Sequence, residues 1–135
     1  MFRKLTPVIV VDAIEPCLPL WVERLGFVKV AEVKEGDHAG FVILRKDDVE
    51  LMYQTRSSLA ADTGIDEPAG RPGTALFIQV KSSLDEVIRR LGDYPVAVSR
   101  RQYAGLLPES YSGMDEIGVR EAGGSLVFFS SPVAQ

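Results

Sequence analysis

The sequence predicts an α+β fold built from two βαβββ modules in tandem, and three observations carry that expectation. The same order of elements occurs on either side of an aperiodic stretch at residues 55–73. The apolar helix-face residues Leu18, Trp21, Val22 and Leu25, with Gly26 after them, recur 66 positions later as Leu84, Val87, Ile88, Leu91 and Gly92. The alternating residues Val49, Leu51 and Tyr53 recur 78 positions later as Val127, Phe129 and Ser131, a drift of 12 that loops such as 104–112 absorb. One such module cannot bury both faces of its sheet, whereas two can, by closing their sheets around a shared interior.

The elements follow in order. The β-branched run Leu5-Thr6-Pro7-Val8-Ile9-Val10-Val11 reads as a strand. A helix follows within 14–26. Leu18, Trp21, Val22 and Leu25 form its apolar face, Pro16 and Pro19 sit in its first turn, and Gly26 ends it. Three strands are expected at 27–34, 39–45 and 49–54, with Lys46-Asp47-Asp48 as the turn between the last two. Residues 55–73 read as a loop or linker, so the first module spans about 1–54 and the second about 74–131. In the second, 74–80 is a strand. Ser83 and Glu86 form a capping box for a helix that Gly92 stops, and strands follow at 96–103, 114–120 and 125–130.

Composition narrows the function classes. The chain has 135 residues, 15 basic and 19 acidic, for a net charge of −4. That balance argues against a protein that works by neutralising nucleic-acid phosphates. The acidic excess lies in residues 1–67, which hold 12 acids and 8 bases; an acidic rim attracting cationic ligands and an ordinary solvated surface are both open readings. No apolar run approaches the roughly 20 residues that span a bilayer, and the first residues lack the pattern of a signal peptide. The lone cysteine, Cys17, excludes an intrachain disulfide and fits a reducing cytoplasm. The lone histidine, His38, excludes any metal site needing two histidines from one chain. No phosphate-binding glycine motif is present, and Gly123-Gly124 reads as a hairpin turn.

The runs VVDAIEPCLPLWVERLGF, HAGFVILRKDDVELMYQT, TALFIQV and DEIGVREAGGSLVFFSS together resemble the vicinal oxygen chelate superfamily. This group includes glyoxalases, extradiol dioxygenases and the bleomycin resistance proteins, and Arg3–Tyr53 looks most like the last. The resemblance implies two βαβββ modules forming a cup-shaped curved sheet that holds a ligand, in a protein that is often a homodimer. It also implies that metal-dependent members place four ligating side chains in the cup. The matching positions here are Thr6, Glu50, Ala75 and Phe128, of which only Glu50 is a good ligand for a hard divalent ion. An emptied metal site on an intact scaffold is therefore expected, with no cofactor. The Asp-Pro-x-Gly of the family's last hairpin is replaced by Glu121-Ala122-Gly123-Gly124, and the groove tryptophan of some bleomycin binders is missing; Tyr111 is the nearest aromatic.

Alternation puts Val49, Leu51 and Tyr53 on one strand face and Glu50 with Met52 on the other. A cup-facing Glu50 is either a ligand anchor or general base, with a pKa raised by desolvation unless a cation pairs with it, or a structural partner of an arginine on a neighbouring strand. Phe77 and Phe128 are candidates for stacking on a planar ligand. Cys17 and Trp21 read as core, and His38 as a surface residue. Of Arg100 and Arg101, at most one can face the cup.

The leading expectation is a metal-free small-molecule-binding protein of this superfamily. Its cup would be lined by Thr6, Val8, Glu50, Met52, Ala75, Phe77 and Phe128, with Tyr111 near it, and would take a partly apolar, cationic ligand, as in drug or toxin sequestration. The alternative is an enzyme of the same superfamily, a lyase, isomerase or dioxygenase-like protein, using Glu50 with a divalent metal or as a base. A third reading is a structural or regulatory dimer with a filled cup. No nucleic-acid or membrane partner is expected.

Overall fold

The computed structural model describes residues 1–68, 74–103 and 114–132, and divides into two compact units, Met1–Pro72 and Gly73–Gln135. The first unit contains β1 (Val8–Val11), β2 (Val28–Glu35), β3 (His38–Lys46), β4 (Val49–Thr55) and helix α1 (Arg56–Thr63). Its sheet has the order β1-β4-β3-β2. The second contains β5 (Ala75–Gln79), helix α2 (Asp85–Leu91), β6 (Val98–Tyr103), β7 (Met114–Arg120) and β8 (Leu126–Pro132), in the order β5-β8-β7-β6. The two topologies are identical, and β1 pairs in parallel with β4 as β5 does with β8. A parallel pair needs a crossover connection, which the helical segment of each module supplies. Each sheet is curved and open, with its own pair of edge strands, rather than closed by strand pairing.

In the first module Ile9, Val11, Val42, Leu44, Leu51 and Tyr53 make the buried face of the sheet. Trp21 seals it: its Nε1–H donates to the Tyr53 hydroxyl at 2.9 Å, and its ring meets Phe27 edge-on at 5.0 Å between centroids. Complete burial of side chains this size is worth about 1.5–3 kcal/mol each, and the indole N–H must find an acceptor once buried. In the second module the same parity buries Ile117, Val119, Val127 and Phe129, and Leu84 and Leu91 at the two ends of α2 are buried as well.

Four local expectations are corrected. The first strand begins at Val8, since Leu5 is exposed; the ladder reaches back only as far as the Pro7 carbonyl, which accepts from Met52 N–H. The helix expected within 14–26 is a tight 3₁₀ turn at Glu15–Cys17 followed by a wide π turn at Pro19–Arg24, in which Leu25 N–H donates to Leu20 C=O. Two prolines within four residues interrupt regular winding. The changed pitch buries Ile14, Cys17 and Leu20 with Trp21 and Leu25, leaving Leu18 and Val22 only partly covered. The 55–73 stretch, expected to be a loop, holds α1. Thr55 Oγ1 caps it by accepting from Ser58 N–H at 3.1 Å, and Gly64 ends it at φ 76°. Ser83 is not the N-cap of α2, because Leu84 holds that place. Ser83 Oγ accepts from Asp85 N–H, and Glu86 binds Arg89 and Arg90 instead of closing a capping box.

Candidate functional site

Opposite the buried face of each sheet lies a second face, and it carries the expected site residues. In the first module strand register puts Val8 beside Met52, Ile43 beside Met52 and Arg45 beside Glu50 on this face. Val8 is 46% exposed. Thr6, just before β1, reaches the same place: its Oγ1–H donates to Glu50 Oε1 at 3.0 Å.

Glu50 is the electrostatic centre of this face. Its side chain is only 8% exposed, yet its carboxylate is not starved of partners. Lys4 Nζ lies 2.8 Å from Oε1, and Arg45 donates through Nε at 2.9 Å and through Nη2 to Oε2. The hydrogen bonds from Lys4 and then Arg45, with a smaller one from Thr6, outweigh desolvation and hold the carboxyl at about 2, down from 4.5. The rise that burial alone would cause is thus reversed by paired cations. Two of those partners, Lys4 and Thr6, are 46 and 44 residues away in sequence; only Arg45, across the β3–β4 hairpin, was legible as a neighbouring-strand arginine. A carboxylate so stabilised is a poor base at neutral pH, and it offers little unspent charge to a ligand cation.

The second module's face is aromatic. Phe77 on β5 and Phe128 on β8 are register partners, with Ala75 two residues from Phe77 on the same side. Phe77 is 54% exposed. Gly118 on β7 stands opposite Phe128, and the ring occupies the space of its missing side chain: a Cβ there would lie 2.8 Å from Cδ1 and 2.9 Å from Cε1. A glycine in the strand therefore lets the Phe128 ring lie down on the sheet over β7, on the opposite side of β8 from Phe77. Further along the face, Arg100 lies 3.7 Å from Glu116, and the buried Ser130 Oγ has no hydrogen-bond partner among the described residues. Tyr111 and the side chain of Arg101 lie outside the described residues.

The four positions matched to metal ligands do not suit a divalent ion. Thr6 donates its proton to Glu50, Glu50 is shared by two cations, and Ala75 and Phe128 have no donor atom. Among the described residues no group of three or more His, Cys, Asp or Glu side chains is arranged to hold a metal. His38, half exposed, opens β3, with Nδ1 3.2 Å from Asp37 and Nε2 3.3 Å from Glu35; these carboxylates, Asp37 foremost, raise its pKa. Cys17 is buried. The last hairpin is closed by Glu121, a buried carboxylate that accepts from the N–H groups of Gly123 and Ser125 and so holds the turn by side-chain to backbone hydrogen bonds.

Helix α1, which no apolar stripe signals in the sequence, makes a cleft with the sheet. A cleft of about 490 Å³ opens in the first module where α1 stands beside the sheet. Val33, Phe41 and Gln54, register partners across three strands, form its floor, and Ser58, Ala61 and Asp62 of α1 form a wall.

The doubled topology and its two faces are shared with solved structures along nearly the whole chain. A glyoxalase/bleomycin resistance protein/dioxygenase from Nocardioides superimposes with a TM-score of 0.72 at 16% identity, over 98% of this chain and 85% of that one. The chain has the glyoxalase/bleomycin-resistance fold. The lactoylglutathione lyase of Agrobacterium tumefaciens shares this fold at TM-score 0.70, 13% identity and coverage of 96% and 93%. The bleomycin-binding protein of Streptomyces verticillus, solved with copper(II)-bleomycin, shares it at TM-score 0.60, 20% identity and full coverage of both chains. No family profile and no curated protein matches the sequence. The glyoxalase/bleomycin-resistance fold thus rests on three-dimensional likeness. No helix among the described residues is long and apolar enough to cross a membrane.

Proposed function

We propose that the chain is a metal-free binding protein for a partly apolar small molecule carrying a cationic group, and that it sequesters a drug or toxin. The observation that carries this reading is the aromatic pair Phe77–Phe128, with one ring laid over Gly118 and the other more than half exposed. Two aromatic side chains on one sheet face, with the small Ala75 beside them, suit stacking on a planar apolar group. The Streptomyces verticillus protein of the same fold, seen with copper(II)-bleomycin, supports a small-molecule role and makes bleomycin the first compound to try. The pairing of Glu50 with Lys4 and Arg45 speaks against the enzyme alternative, since neither a metal nor a substrate proton finds a free carboxylate there. A homodimer in a reducing cytoplasm completes the reading.

The test is a mass-spectrometric survey of compounds that co-purify with the protein, followed by titration of bleomycin and a planar aromatic panel into ¹⁵N-labelled chain. Saturable shifts in Ala75–Gln79 and Leu126–Ser130 that disappear in Phe77→Ala support the proposal. No retained compound and no saturable shift in those strands would overturn it.

A further inference from the structure

The cleft beside α1 has a chemistry of its own. Its floor combines Val33 and Phe41 with the Gln54 amide, whose Nε2 donates to Ser58 Oγ at 3.2 Å. Ser58, Ala61 and Asp62 line it because spacings of three and four residues fall on one side of a helix. Asp62 sits in the last turn of α1, where the helix dipole disfavours an anion, and no cation among the described residues pairs with it. By contrast Arg56, at the other end of the helix, is engaged by Asp12. At the sheet end of the cleft stands Glu35, whose Oε1 accepts from Ser57 at 2.8 Å and Thr55 at 3.0 Å. Lys34 also borders the cleft, but its ammonium lies 3.3 Å from Glu32. An apolar floor thus meets an unneutralised carboxylate placed against its own helix dipole.

We propose that this cleft binds an organic ammonium group attached to a small apolar body, the body on Val33 and Phe41 and the ammonium at Asp62. The inference rests on the reading of the chain as a small-molecule binder and supplies, within the first unit, an anchor for a cationic ligand other than Glu50. The cleft volume of about 490 Å³ lies within the range of small-molecule sites. An ammonium at Asp62 neutralises a carboxylate that the helix terminus disfavours, so ligand and fold are stabilised by the same contact.

Three probes with one ring and different charges test it: benzylammonium, benzyl alcohol and benzoate, each titrated into ¹⁵N-labelled full chain at pH 7. Benzylammonium should give saturable shifts at Phe41, Ser58, Ala61 and Asp62, binding about fivefold more tightly than benzyl alcohol, with benzoate weakest. Asp62→Asn should erase the preference for benzylammonium while leaving benzyl alcohol unchanged. The same variant removes an acid from a helix C-terminus and should melt no lower than the parent, so lost binding is not lost folding. Equal binding of the three probes, tightest binding of benzoate, an unaltered preference in Asp62→Asn, or no saturable shift at the cleft would overturn the inference. Shifts confined to Ala75–Gln79 would do so too, while leaving the aromatic-platform reading standing.

Discussion

Gly118→Ala tests the feature on which the proposed binding face depends. The added Cβ would lie 2.8 and 2.9 Å from two atoms of the Phe128 ring and 3.4 Å from Val98 Cβ. Carbon atoms settle at about 3.5–4.0 Å, so the ring must lift by more than half an ångström or the strands must part. Overpacking of this kind costs about 1–3 kcal/mol. Against it, alanine recovers about 0.5–1 kcal/mol of the backbone entropy that a mid-strand glycine loses. The net expectation is a destabilisation of about 0–2.5 kcal/mol, centred near 1, which for a chain of this size lowers the melting temperature by up to roughly 10 °C. Urea denaturation of four proteins reads it: parent, Gly118→Ala, Phe128→Ala and the double variant. With the ring removed, only the Val98 contact remains, and the glycine-to-alanine change should become neutral or stabilising. That reversal of sign is the signature of a ring resting on a glycine. If Gly118→Ala has the same effect on stability with and without Phe128, Phe128 does not lie on the sheet and the aromatic face loses its basis.

Other expectations are narrower. Tyr53→Phe strips the acceptor from the buried Trp21 N–H and should cost about 1–3 kcal/mol in urea denaturation; a loss below a few tenths would mean the indole finds another partner. Glu50 is held near 2 in the folded chain, so its contribution is complete above pH 4.5 and disappears as pH falls through about 2. Glu50→Gln should therefore lie below the parent in stability at pH 7, approach it as pH falls from about 4.5, and meet it only below about pH 2, whereas parallel profiles would show that the Lys4 and Arg45 pairs contribute nothing. Thr55→Ala removes both the α1 cap and a hydrogen bond to Glu35, a loss of about 0.5–2 kcal/mol. Amide exchange should accelerate in Arg56–Thr63 while the strands stay protected, and uniform acceleration would contradict a local cap. Sedimentation at micromolar concentration should show a dimer; a single species at 14.8 kDa would refute that assembly.

The order of elements and the face each strand residue takes were legible in the sequence, because both are local. Side chains alternate across a strand whatever lies beyond it, so Val49, Leu51 and Tyr53 parted from Glu50 and Met52 without knowledge of their partners, and the duplicated spacing disclosed two equal modules. The same parity put Phe77 and Phe128 each on the second face, while their register as partners came only with the pairing of β5 and β8. What tertiary structure alone decided lies where distant segments meet or where local signals are weak. The turn at Glu15–Arg24 takes its winding from two prolines and from the demand that Trp21 reach Tyr53, so a regular helical period misassigned Leu18 and Val22. Helix α1 has no buried residue and no apolar stripe to betray it; its signals were the Thr55 cap and Gly64 stop, which mean little without the sheet beside them. The state of Glu50 depended on Lys4 and Thr6, brought beside β4 by a parallel pairing that nothing in their own sequence neighbourhood encodes. A carboxylate's charge is set by its nearest cations in space, and only the fold determines which those are.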